Sequence, residues 1–176
     1  CYVSNQVFGY LFKIKPNYES QFITGAILGL IIGPLPFLSN LAFLTITPVL
    51  ATASKYLINI RKQHIFNPAA FAVVAVAILL GKGASWWIGS VAMAPFIILG
   101  GVILLRKIHR LNLVLGFLIP SLLFYPQVFL SSPILFFSFV MLTEPLTSPA
   151  DKNLRTYYGI FAALIFIVLQ TYFSVS

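Results

Sequence analysis

The residues with the most chemistry to offer in this chain of 176 stand in two short runs, each marked by a proline. The first is His64-Ile65-Phe66-Asn67-Pro68-Ala69-Ala70-Phe71, and the second is Met141-Leu142-Thr143-Glu144-Pro145-Leu146-Thr147-Ser148-Pro149. Asn before Pro is a helix-start signal: the Asn side chain caps, and Pro fits the first turn because its missing N–H needs no partner there. Such a start turns backbone N–H groups and the positive end of the helix dipole toward whatever lies before it. It therefore suits a phosphate, a carboxylate or a flavin ring oxygen. The plainer reading, that the dipeptide only starts a helix, stays open beside it. Glu144 is one of three acids in the chain. It reads either as a site carboxylate kept in apolar surroundings for its charge, or as an interfacial carboxylate paired with His64, Lys152 or Arg155. His64, close to Lys62, reads as an interfacial histidine.

Other chemistries are excluded by what the chain lacks. Cys1 is its one cysteine and His64 and His109 its two histidines, so no internal disulfide, iron–sulfur cluster, bis-histidine haem or other metal site is expected. Gly81-Lys82-Gly83 lacks the spacing of a nucleotide loop, no glycine fingerprint follows a strand, and no serine elbow is present. The formal charge of +8 would suit nucleic acid, but the eleven Lys and Arg residues fall in small groups between apolar runs rather than along one stripe. No nucleic-acid partner is expected.

The elements that must position these runs follow from composition. The chain is 60% hydrophobic and 8% charged with a mean hydropathy of +0.99, where an ordinary soluble domain has about 25% charged residues. Membrane lipid is the solvent such a surface fits. The fold expected is an all-α, polytopic integral membrane bundle in one transmembrane domain over 1–176, with 1–20 as a cytoplasmic flank and 22–173 as the bundle. Phe22–Leu38, Leu41–Leu57, Trp86–Leu105, Leu111–Leu130 and Tyr157–Phe173 each approach the roughly 17–25 apolar residues of a span. Ala69–Leu80 and Pro133–Leu142 are shorter by roughly 12–15 Å of helix.

Charge arbitrates whether the short segments cross. If all seven do, ten of the eleven cations lie on one side and only Lys82 on the other, the bias expected of cytoplasmic loops. Making either short segment re-entrant would carry Arg106, Lys107 and Arg110, or Lys152 and Arg155, to the outer face. Seven crossings are therefore expected, with the N-terminal flank cytoplasmic. Tyr2–Ile14 is expected on the cytoplasmic surface or as the end of a helix that begins before Cys1, and Trp86 and Trp87 with Lys82 in an outer aromatic belt. Threaded this way, Asn67-Pro68 and Thr143-Glu144-Pro145 come to one face. Two interrupted helices dipping in from one side are a pointer to a binding site.

Taken together, the two runs resemble the NqrB/RnfD family, the membrane subunits of the sodium-pumping NADH:quinone reductase and of the Rnf electron-transport complex. The similarity extends from about Phe22 to Phe173, with Thr24-Gly25-Ala26 in a first helix and the turn Gly33-Pro34-Leu35-Pro36 after it. The resemblance implies a flavin-carrying redox module of a bacterial cytoplasmic membrane, FMN or riboflavin being held by Asn67, Pro68, Ala69, Thr143, Pro145 and Thr147, with Glu144 as the functional acid. It also implies a cytoplasmic FAD- and NAD-binding reductase domain or other complex subunits as partners. Family members that attach FMN covalently use a Thr in a Ser-Gly-Ala-Thr-like loop, and Gly81-Lys82-Gly83-Ala84-Ser85-Trp86-Trp87 has none. A non-covalent flavin is therefore expected. A transporter or channel built on paired broken helices, and a non-catalytic assembly subunit, are the alternative functions.

Overall fold

Helix start and stop signals set most of the architecture. In the computed structural model residues 1–60, 63–126 and 133–173 are described, and they fall into two compact units, Cys1–Ile88 and Gly89–Ser176. Arg61 and Lys62 of the charge argument, and residues 127–130 of the expected span Leu111–Leu130, lie outside the described residues. The described chain is helical apart from one antiparallel pair, β1 (Asn59–Ile60) and β2 (Gln63–His64), in which Asn59 stands opposite His64.

The first unit holds α1 (Tyr2–Phe12), α2 (Tyr18–Ile32), α3 (Leu41–Leu57) and α4 (Pro68–Leu80). The start of α2 lies four residues before the apolar run because the Asn17 side chain accepts the Ser20 N–H at 3.0 Å. It stops at Gly33, whose φ of +72° few other residues adopt. One end of this unit is tied by hydrogen bonds from the 81–87 loop. Ser85 Oγ donates to Ile32 O at 2.8 Å, the Trp87 indole to Gly29 O at 3.0 Å, and Lys82 Nζ to Asn40 Oδ1 at 2.9 Å. The other end gathers the start of α2, the end of α3, the β pair and the start of α4. Against α3 packs α1, with Phe8 and Phe12 each 5.7 Å from the Tyr56 ring and Ser4 Oγ 3.0 Å from Thr52 Oγ1. It turns Asn5 and Gly9 inward and leaves Val3 and Tyr10 exposed.

The second unit holds α5 (Ala94–Ile108), α6 (Leu111–Phe124), α7 (Ile134–Phe136), a π-helical turn (Phe137–Met141) and α8 (Lys152–Phe173). Pro95 in the first turn of α5 delays that helix relative to the expected Trp86–Leu105, while Asp151 Oδ1 starts α8 early by accepting the Asn153 and Leu154 N–H groups at 2.8 and 3.0 Å. The closest helix pair, α6 with α8, meets through small residues: a Cβ on Gly116 would stand 2.7 Å from Thr156 O, and Ala163 is wholly buried. Gly101 lets α5 approach the π turn, where a Cβ would meet the Phe139 ring at 2.5 Å.

The buried core combines apolar side chains such as Ile31, Phe43, Leu113 and Phe117 with several hydroxyl residues. Buried positions include Thr47, Thr52, Ser54, Ser121, Ser138 and Thr143, while Ile78, Leu123, Phe96 and Tyr172 are 70–80% exposed. Among the described residues two helices are long and apolar enough to cross a membrane, Val91–Ile108 and Lys152–Tyr172, with 17% and 11% of those windows buried. Tyr18–Ile32, Pro68–Leu80 and Leu111–Phe124 are apolar but shorter.

Candidate functional site

The first run builds the start of α4. Asn67 Oδ1 accepts the N–H groups of Ala69 and Ala70 at 3.0 and 3.1 Å, and Phe71 N–H bonds Asn67 O at 2.9 Å. Pro68 and Ala69 are buried against the unit. The capping side chain therefore occupies the two N–H groups that the sequence offers to a ligand, which corrects the expectation that they stand free. What remains is the positive dipole end of a capped helix.

The first unit also leaves some buried polar atoms unsatisfied among its described residues. Gln21 is 2% exposed, and neither its Nε2 nor its Oε1 has a hydrogen-bond partner among the described residues; Asn5 Nδ2 and His64 Nδ1 are in the same condition. Gln21 follows Ser20, whose carbonyl and hydroxyl accept Lys55 Nζ at 2.8 and 3.0 Å. Burial first, and the nearby Lys55 charge second, hold His64 below its ordinary pKa of 6.5, so it is neutral at pH 7. Tyr56 donates to Asn5 Oδ1 at 2.8 Å, which leaves the Asn5 amide N–H groups unmet. A buried amide with both ends orphaned costs about 1–3 kcal/mol, so such groups point to an absent partner. None of this was legible in sequence, because Gln21 and Asn5 stand in no motif; only burial singles them out.

The second run closes the π turn and leads into α8. Leu142 N–H bonds Phe137 O at 2.8 Å, the wide-turn bond, and π turns recur at functional sites. Thr143 is 1% exposed, and its hydroxyl donates back to Phe139 O at 2.7 Å, so its proton is committed to its own turn. Glu144 is half-buried, its carbonyl accepting Ser148 Oγ at 2.7 Å and the Ser148 N–H at 3.1 Å. Pro145 is exposed, and Thr147 Oγ1 lies 3.4 Å from both Glu144 O and Oε2.

The loop is held by two arginines, Arg110, which the sequence offered only as an orientation charge, and Arg155, which it offered also as a partner for Glu144. Arg110, 6% exposed, donates Nη1–H to Ser148 Oγ and to Pro149 O. Arg155 donates to Pro149 O at 3.1 Å, His109 O at 2.9 Å and Ala150 O at 2.6 Å. The structure thus places Asn67, Pro68 and Ala69 together in one unit, and Thr143, Glu144, Pro145 and Thr147 together in the other. Among the described residues no group of three or more His, Cys, Asp or Glu is placed to hold a metal. Compared with family models, with curated proteins and with solved structures, the chain matches none.

Proposed function

We propose that this chain is a membrane-embedded electron-transfer module that holds a flavin, FMN or riboflavin, without a covalent bond. The observation that carries the reading is the set of unpartnered buried polar atoms in the first unit: Gln21 Nε2 and Oε1, Asn5 Nδ2 and His64 Nδ1. A flavin ring edge alternates carbonyl acceptors with an imide N–H, and a carboxamide offering both donor and acceptor is its complement. Lys55 sets a positive charge near His64 and against Ser20, the neighbour of Gln21, which favours an electron-rich or anionic partner. His64, neutral and buried on one nitrogen, can take a hydrogen bond without adding a second charge. A bound flavin would supply the redox chemistry; the chain supplies orientation, electrostatics and exclusion of water.

The membrane setting is supported by the large apolar side chains left on the outside, among them Ile78, Phe96, Leu123 and Tyr172. Hydroxyl residues packed inside beside apolar ones, with further large apolar side chains facing outward, suit helices in lipid, where an exposed Leu or Phe meets acyl chains rather than water. Seven crossings of a bacterial cytoplasmic membrane, with the N-terminal flank cytoplasmic, remain the threading that the cation distribution favours. It assigns the first run to the cytoplasmic side, within reach of a soluble FAD- and NAD-binding reductase domain or another complex subunit. Glu144, with Thr143, Pro145 and Thr147, keeps its assignment to the redox function through the resemblance of the second run to NqrB/RnfD.

The test is an absorption spectrum of the purified protein with mass spectrometry of the acid-released cofactor. Flavin bands near stoichiometry, with the protein running at its unmodified mass, are expected. A colourless protein from flavin-replete cells would overturn the reading and favour a solute transporter.

A further inference from the structure

The end of the second unit that carries the second run also gathers Arg106, Arg110, Lys152 and Arg155, more cations than acids among the described residues. Arg110 and Arg155 share the Pro149 carbonyl, and neither is paired with a carboxylate among the described residues. Asp151, the nearest acid in sequence, uses Oδ1 to cap α8. Arg155 has five N–H donors and gives three to carbonyls. A guanidinium as buried as Arg110 beside a second one is expensive without a countercharge.

Next to this pair opens a cavity of about 470 Å³ whose rim is Arg106, His109, Lys152 and Arg155. Its wall is apolar, formed by Val102, Leu105 and Leu111. From Val102 a second, almost wholly apolar groove continues along α5 past Leu99, Ile98 and Pro95 to Val91. Val91, just before α5, and Val102 are eleven steps apart along the chain, a length of about 16 Å at helical rise. One continuous surface therefore passes from a cationic cup to an apolar channel. That is the outline of one phospholipid.

The geometry points to a binding site for an anionic phospholipid, its headgroup phosphate against Arg106, Lys152 and Arg155 and one acyl chain along α5. Cationic pockets beside spanning helices on the cytoplasmic side take such headgroups, each basic residue near the surface contributing an affinity factor of about five. The apolar groove sets the occupant as a lipid rather than a free phosphate, because a soluble anion would leave Val91 to Val102 uncovered. The inference rests on the membrane reading of this chain and is independent of the flavin.

The experiment is native mass spectrometry of the full chain in detergent, titrated with phosphatidylglycerol or phosphatidylcholine of identical acyl chains. Retained phosphatidylglycerol and little phosphatidylcholine are expected, with inorganic phosphate at equal concentration failing to compete. Arg106→Gln with Lys152→Gln should weaken retention about twenty-five-fold, while Lys82→Gln in the other unit leaves it unchanged. Val102→Trp fills the groove without touching the charge and should also weaken retention, which keeps the test sound if the double variant folds poorly. Equal retention of the two lipids, displacement by inorganic phosphate, or an equal loss in Lys82→Gln would overturn the site. A flavin-free protein that still selects phosphatidylglycerol would sink the redox reading alone.

Discussion

Gly159 of α8 lies directly against the Leu113 carbonyl of α6, so close that a Cβ there would overlap the oxygen. Gly116 makes the reciprocal approach to Thr156 O, and this pair of contacts fixes how near the two helices come. Backbone cannot yield as a flexible side chain can. Gly159→Ala should therefore separate α6 from α8 and cost about 1–3 kcal/mol, the usual range for overpacking. Gly100→Ala, where a Cβ meets nothing within 4 Å, should cost far less. Thermal denaturation of the two variants in one detergent makes the comparison, and equal midpoints would refute the close-contact account.

Gln21 distinguishes an occupied site from an empty one. With a ligand on the amide, Gln21→Leu should reduce the flavin-to-protein ratio and lower the midpoint. With nothing there, the same change removes an orphaned polar group at similar volume and should raise the midpoint by the equivalent of about 1–3 kcal/mol. Cofactor ratio and melting curve, measured on one preparation, give opposite signs for the two cases; the first is expected.

His64 sets a pH dependence whose sign follows from its depressed pKa. In the unfolded chain it binds a proton near pH 6.5, while in the folded unit burial and then Lys55 resist that proton. Its contribution is fully present above pH 6.5 and is lost as pH falls from there through the lower folded pKa. Melting temperature should drop between about pH 7.5 and 5.5, and His64→Gln should flatten that part of the curve. An unchanged slope in the variant would assign the dependence elsewhere.

Glu144→Gln should leave the turn intact, because Ser148 is held by the Glu144 carbonyl rather than by its carboxylate. Expression and melting should stay near those of the parent, while electron transfer from a reduced flavin or NADH-linked donor falls. Asp151→Asn, which keeps an oxygen for the α8 cap, serves as the comparison. Loss of activity in Asp151→Asn with full activity in Glu144→Gln would show that the wrong acid was chosen.

The threading is tested by single cysteines in a Cys1→Ser background, scored with an impermeant thiol reagent on intact and inverted vesicles. Lys107→Cys should label only from the cytoplasmic side and Gly83→Cys only from outside. Labelling of both from one side would eliminate the seven-crossing arrangement.

Helix positions were largely legible in the sequence, because their signals are local. Leu41–Leu57 appears at its expected bounds, and Asn67-Pro68 opens α4 as its chemistry requires. The ends drifted where a polar side chain outvoted hydropathy: Asn17 and Asp151 begin α2 and α8 inside stretches that hydropathy alone treats as loop. The candidate site was legible only in part. Capping by Asn67 could be foreseen, but that the cap would consume the N–H groups meant for a ligand is a matter of distance. The orphaned amide of Gln21 and the grip of Arg110 on Ser148 depend on burial and on contacts between residues far apart in sequence. A hydropathy pattern carries neither.

The π turn at Phe137–Met141 has a consequence for chain length. It holds one residue more than an α-helical turn over the same rise, as though a single residue had been inserted. Were the turn to tighten to ordinary helix with its residue count unchanged, the extra residue would swing everything after it by about 100°. Thr143 to Pro149 would then be carried past Arg110 and Arg155 instead of into their reach. The distance in sequence from Phe136 to Ser148 is thus a ruler, and variation among natural relatives of this chain should preserve its length more strictly than the identity of its side chains.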